Sequence, residues 1–325
     1  MAAMPVSLTV PQRLLRGWSL VAATAVYALC SGSLEFINSV FIIQYRFTFP
    51  AFIALSQALL TILVLELLRC FRLLKIQPYL LETGEKLLIP SICFSFHSVL
   101  TLWAVSSSNL KIFMFIRRFT PLASLALTAT CNLRKRTSCS RFFLILLVTI
   151  CSVLSGLEYF DLKGIVCLYG FISIMFESTY LTLIQKIGED CEKSAMDIYY
   201  ICTINSCPML FLYCVLHPDS SQIFPSGSWN SLIFLGYFAL VLVLGCLLNF
   251  FIYLCALLKS ALMANMMEVA KINVMTLKTI ATHQRMTSSV PLLISVLISA
   301  GGLGTYMYQD SRDKPLRKET EGILI

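Results

Sequence analysis

Apolar segments of about twenty residues recur from one end of this sequence to the other, and no other feature limits its fold as strongly. A helix that crosses a bilayer rises 1.5 Å per residue through ~30 Å of hydrocarbon, so it needs ~20 mostly apolar residues. Segments of that kind lie at about 17–44, 50–71, 87–106, 111–131, 141–157, 164–185, 197–216, 231–256, 259–281 and 289–308. The first is long and the fifth short. Charged residues make up only 13% of the chain, against ~25% in soluble domains. A transmembrane β-barrel would need ~10-residue alternating strands, and the sequence has none. The expected fold is an all-α membrane protein with ten transmembrane helices.

Basic residues orient these spans. With both termini cytosolic, 17 Lys and Arg fall on the cytosolic side and only 4 (Arg46, Lys111, Lys163 and Arg285) on the other. That is a positive-inside bias, and it agrees with an even number of spans. The apolar stretch after Arg13 and Arg16 is too long for the core of a cleavable leader, so the first span is expected to be an uncleaved anchor. The division is then a cytosolic segment 1–16, a ten-helix domain 17–308 and a cytosolic tail 309–325. Ten spans split as five plus five, about 17–157 and 164–308. Inverted repeats of this type hold their substrate at the repeat interface near mid-membrane.

Four cations interrupt apolar runs: Arg117 and Arg118 in the fourth segment, Lys271 and Lys278 in the ninth. A Lys or Arg at mid-membrane costs at least ~2.5–3.5 kcal/mol, so it normally faces a protein cavity. Cations from two corresponding helices suggest a site for an anion. Arg binds phosphate as a fork and Lys as a point charge. Positions seven apart share a helix face, so Lys271 aligns with Lys278 and Arg118 with Lys111, while Arg117 points ~100° away. Arg118 is therefore favoured over Arg117 as the ligand.

A purely structural explanation stands beside this one. Glu268 lies three residues before Lys271, a spacing that permits a local ion pair. Glu35 or Glu177 could neutralise Arg117 or Arg118, and Lys278 could snorkel to an interface. Asn249 is polar at mid-span and serves either as interhelical glue or as a substrate contact. Tyr199 and Tyr200 open the seventh span, as an interfacial belt or as a stacking surface. The Gly301-Gly302-Leu303-Gly304 run follows no strand, so close helix packing explains it better than a nucleotide loop.

Nothing in the chain assembles an enzyme. It has no Ser/His/Asp grouping, no paired acidic motif and no metal-ligand spacing among its 13 cysteines and 3 histidines. Arg134-Lys135-Arg136 reads as a topology determinant, not a nucleic-acid site.

Several segments resemble the nucleotide-sugar transporters of solute carrier family 35, most of all its D subfamily, within the drug/metabolite transporter superfamily. They include Ser31-Gly32-Ser33-Leu34, Leu65-Glu66-Leu67-Leu68-Arg69, Leu100-Thr101-Leu102-Trp103, Phe115-Ile116-Arg117-Arg118-Phe119-Thr120-Pro121, Tyr180-Leu181-Thr182-Leu183-Ile184-Gln185-Lys186, Gly245-Cys246-Leu247-Leu248-Asn249-Phe250 and Ser260-Ala261-Leu262. The resemblance runs from about 17 to 308. It implies ten helices in a 5+5 inverted repeat. It also implies exchange of a cytosolic nucleotide sugar for a luminal nucleoside monophosphate, with neither metal nor bound cofactor. The setting would be a Golgi or endoplasmic-reticulum membrane, and a homodimer is allowed. Substrate contacts would come from Arg117, Arg118, Tyr200, Asn249, Glu268 and Lys271. Two departures stand out: Tyr199-Tyr200-Ile201-Cys202 replaces a Phe-Tyr-Asn-Asn type motif, and Met266-Met267-Glu268 replaces small residues before Lys271. They motivate the alternative of a non-transporting relative that assists membrane-protein trafficking or acts as a scaffold.

Overall fold

The computed structural model describes residues 47, 49–106, 110–131, 139–157, 164–190, 193–216, 223–224, 227–282 and 286–313, with isolated positions between 27 and 45. Its helices are α1 (Pro50–Cys70), α2 (Leu81–Lys86), α3 (Leu88–Ser106), α4 (Leu110–Arg117), α5 (Thr120–Thr130), α6 (Cys139–Leu154), α7 (Gly164–Asp190), α8 (Ala195–Leu216), α9 (Leu232–Leu258), α10 (Ala261–Thr282) and α11 (Met286–Asp313). No strand occurs among the described residues. Among the described residues, five stretches are long and apolar enough to cross a membrane: Pro50–Cys70, Val166–Asp190, Ala195–Leu216, Leu232–Leu258 and Val290–Asp310. The chain is a multi-pass membrane protein.

Most expected spans coincide with a helix to within a few residues. The first, 17–44, lies largely outside the described residues, and so does Glu35. Two segments differ. The loop expected at 72–86 contains the short helix α2, whose Gly84 carbonyl accepts a hydrogen bond from Asn205 Nδ2 at 2.8 Å. The loop expected at 186–196 is shorter, because α7 continues to Asp190.

The fourth span is two helices, not one. Pro121 has no N–H, so the carbonyl of Arg117 four residues earlier loses its helical donor. The Thr120 hydroxyl donates to that carbonyl instead, at 2.6 Å. The amides of Arg118 and Phe119 reach back only three residues, to Phe115 O at 3.2 Å and Ile116 O at 3.0 Å. That tighter winding separates α4 from α5 at the double arginine.

Three pairs of helices pack closely: α3 along α7, α1 along α8, and α11 along α6. Gly302 lets α11 approach α6, since a Cβ there would stand 2.8 Å from Val148 Cγ2, whereas Gly301 and Gly304 face open space. Close packing in the glycine run thus belongs to one residue. Two of the apolar clusters among the described residues flank the centre. One gathers Phe47, Ile53, Phe234 and Val241, and the other Leu65, Phe94, Tyr180, Tyr199 and Tyr253. Along α1 and α9, Gln57 and the stretch from Gly245 to Ile252 lie between these clusters, and there the interior turns polar.

Replacing Thr120, fully buried, by the near-isosteric Val strands the Arg117 carbonyl, which should cost ~1–3 kcal/mol. Thermal unfolding of the purified protein in detergent measures this. A lower midpoint is expected for Thr120→Val, and an unchanged midpoint contradicts the role given to the hydroxyl.

Candidate functional site

Helix α10 carries both Glu268 and Lys271, and its start is firmly fixed. The first amides of a helix have no intrahelical partner. Here Ser260 Oγ accepts from Met263 N at 3.1 Å, and Gln185 Oε1 on α7 accepts from Ala261 N at 2.8 Å. About two and three turns further on, Glu268 and Lys271 project into the protein at 3% exposure each.

Four charged side chains meet there. Lys271 Nζ lies 2.6 Å from Glu268 Oε2, and Arg117 Nη2 lies 3.2 Å from that same oxygen. Arg117 Nη2 also donates to both oxygens of Glu177 on α7, at 2.8 and 3.0 Å. Tyr27, from the first segment, donates its hydroxyl to Glu268 Oε1 at 2.6 Å. His97 on α3 stands at the edge of the group. Its Nε2 is 3.8 Å from Glu177 Oε1, and its Nδ1 lies 3.1 Å from Ser173 Oγ. Two cations therefore face two carboxylates, all nearly excluded from solvent. Removing one member of such a buried set strands an opposite charge, at ~3–5 kcal/mol.

The group borders a cavity of about 110 Å³. Arg117, Glu177, Glu268 and Lys271 line it, and Gln57, His97 and Asn249 are among the residues that complete the wall. Gln57 donates to Val241 O at 3.1 Å. Its amide lies directly over Gly245, where any Cβ would overlap it. Charged and uncharged hydrogen-bonding groups thus converge from several helices on one interior space.

Of the residues expected from sequence, Arg117, Asn249, Glu268 and Lys271 come together at this cavity. Arg118 and Tyr200 lie elsewhere. Arg118 donates to Ser155 Oγ at 2.6 Å, to Thr276 Oγ1 at 2.9 Å and to the Ser152 carbonyl. It is thus a cation at the C-terminal end of α6, where the helix dipole favours positive charge. It also ties that end to α10. Gly156 leaves the space, since a Cβ there would sit 2.6 Å from Arg118 Nε. The two arginines therefore exchange the parts expected of them. The face turned to the cavity is that of Arg117. Tyr200 donates its hydroxyl to Glu66, while Arg69 lies 6.0 Å from its ring centroid and 2.8 Å from Glu66, so the tyrosine joins α8 to α1. The local pairing of Glu268 with Lys271 is present, as is that of Glu177 with Arg117. Lys278 is exposed.

Sequence reasoning gave no role to Tyr27, Gln57 or His97. An imidazole inside an apolar run was the available signal for His97. Nothing local marks the other two.

No family model matches the chain. It is 29% identical over 259 residues to UDP-galactose/UDP-glucose transporter 7 of Arabidopsis thaliana, a match covering 78% of each chain. It is 23% identical over 177 residues to a putative UDP-sugar transporter of Dictyostelium discoideum, covering 54% of this chain and 45% of that one. This second match spans less than half of the relative. Among solved structures, one described only as "Crystal structure of protein" superimposes with a TM-score of 0.54 at 11% identity, over 90% of this chain and 99% of the other. At that identity the likeness concerns the fold alone.

Among the described residues, Arg117 pairs with two carboxylates, Glu177 and Glu268, and Lys271 pairs with Glu268. Arg117→Ala should therefore destabilise the protein by ~3–5 kcal/mol, and Lys271→Ala by less, because Glu268 keeps Arg117 and Tyr27. Adding Glu177→Gln to Arg117→Ala should recover part of the loss. Thermal midpoints of the three variants check the order, and a Lys271→Ala protein less stable than Arg117→Ala contradicts it.

Proposed function

We propose that this protein carries nucleotide sugars, UDP-sugars in the first instance, across an internal membrane by alternating access. It is a transporter and not an enzyme, as its named relatives and its all-helical membrane architecture indicate. The observation that carries the substrate class is the buried cavity where the Arg117 guanidinium and the Lys271 ammonium stand on either side of one oxygen atom. A pyrophosphate group offers oxygens of that kind, and both cations are suited to it.

In this reading ten spans form a 5+5 inverted repeat with both termini cytosolic, and the two halves rock about the central site. A cytosolic nucleotide sugar exchanges for a luminal nucleoside monophosphate in the Golgi or endoplasmic reticulum. Arg117 and Lys271 take the phosphates, Asn249 contacts base or sugar, and Glu268 tunes Lys271. Arg118 acts at one remove, by holding α6 and α10 in register beside the cavity. Tyr200 holds α8 against α1 at some distance from the phosphate site.

Purified protein in liposomes loaded with UMP and offered labelled UDP-glucose and UDP-galactose tests the proposal. Uptake driven by internal UMP is expected, and Lys271→Ala should reduce it at least tenfold while remaining folded. Absence of uptake for every nucleotide sugar, from protein that is monodisperse and folded, overturns the proposal and leaves the trafficking or scaffold role.

A further inference from the structure

The cations that suit a phosphate are already occupied. Glu268 Oε2 lies 2.6 Å from Lys271 Nζ and 3.2 Å from Arg117 Nη2, so one carboxylate oxygen bridges both. A phosphoryl oxygen bound by these two groups would need that same position. Glu177 is placed differently: it meets Arg117 but not Lys271. Glu268 is therefore the group that an entering anion displaces.

We propose that Glu268 is a built-in stand-in for the substrate phosphate, and that its displacement takes up one proton, so that substrate and proton bind together. The inference rests on the transport reading above and adds a co-substrate to it. Charge balance supplies the reason. Among the described residues, Arg117 and Lys271 offset Glu177 and Glu268. Each phosphoryl group of a nucleotide sugar, a pyrophosphate diester, carries one negative charge, so these four groups and the substrate together would hold four negative charges against two positive. A buried carboxylate that has lost both its cations and gained anionic neighbours is more stable neutral. The step is Glu268–COO⁻ plus a proton from solvent giving Glu268–COOH. The proton leaves again when the substrate departs and the bridge to Lys271 and Arg117 closes.

Among the described residues, the titratable and charged groups around Glu268 are Tyr27, Arg117 and Lys271 in direct contact, with His97, Glu177 and Tyr180 lining the same cavity. Of these, Glu268 alone bridges both cations. Tyr27 already donates to its other oxygen, Oε1, so the displaced carboxyl keeps one polar partner.

Calorimetric titration of the detergent-purified full chain with UDP-glucose, at pH 7 in buffers of different ionisation enthalpy, counts the protons bound. The sugar-linked pyrophosphate does not titrate near neutrality, so uptake belongs to the protein. About one proton per UDP-glucose is expected, with affinity rising up to ~10-fold for each unit fall in pH. Glu268→Gln should bind without uptake and with a flat pH profile, whereas His97→Asn and Glu268→Asp should keep the uptake. Binding without proton uptake by the native protein overturns the inference and leaves the transport proposal standing. Uptake that persists in Glu268→Gln or vanishes in His97→Asn overturns the role given to Glu268. If UDP-glucose fails to bind but GDP-mannose binds with one proton, the uridine preference fails and this inference holds. If neither binds, both fall. Should Glu268→Gln not fold, the proton count on the native protein and on Glu268→Asp still decides.

Discussion

The interior of this protein is organised around one carboxylate oxygen shared between an ammonium and a guanidinium. Burying Lys271 or Arg117 alone would cost several kcal/mol. The chain meets that cost by bringing Glu268, Glu177 and the Tyr27 hydroxyl from three separate segments to the same point. Other features serve to hold those groups in place. The Thr120-Pro121 break ends α4 at Arg117. Arg118 pins the next turn to α6 and α10. Gln185 and Ser260 fix the start of the helix that carries Glu268 and Lys271.

This arrangement recasts what intramembrane cations mean here. Two unopposed cations would make a standing anion trap, strong in binding and slow in release. A neutral quartet binds an anion only by exchanging one partner for another, so the net gain is modest and reversible. That suits a carrier, in which binding must be weak enough to permit release on the far side. It also gives a physical sense to Glu268 beside the Lys proposed to bind phosphate: in that proposal the acid takes part in the cycle.

Much of the fold was legible in the sequence, because apolar length is set by bilayer thickness and each span carries that signal by itself. The break in the fourth span was also written there, in Pro121, although the run reads as one helix by hydropathy. The Glu268–Lys271 pair followed from a spacing of three. The choice between Arg117 and Arg118 did not follow. Helical periodicity fixes the angle between two neighbours but not which of them faces inward, and that depends on where α6, α7 and α10 stand. Tyr27, Gln57 and His97 were missed for the same reason. Each reaches the cavity through tertiary packing, with no partner nearby in sequence. Tyr200 was assigned by motif position, and its actual partners, Glu66 and Arg69, lie on α1.

The most direct test is a structure of the protein with UDP-glucose bound, determined by cryo-electron microscopy. A phosphoryl oxygen is expected between Lys271 Nζ and Arg117 Nη2, with Glu268 withdrawn from Lys271 beyond ion-pair distance. A bound nucleotide sugar with the Lys271–Glu268 contact still at its present 2.6 Å would contradict the claim that this bridge is what the substrate opens.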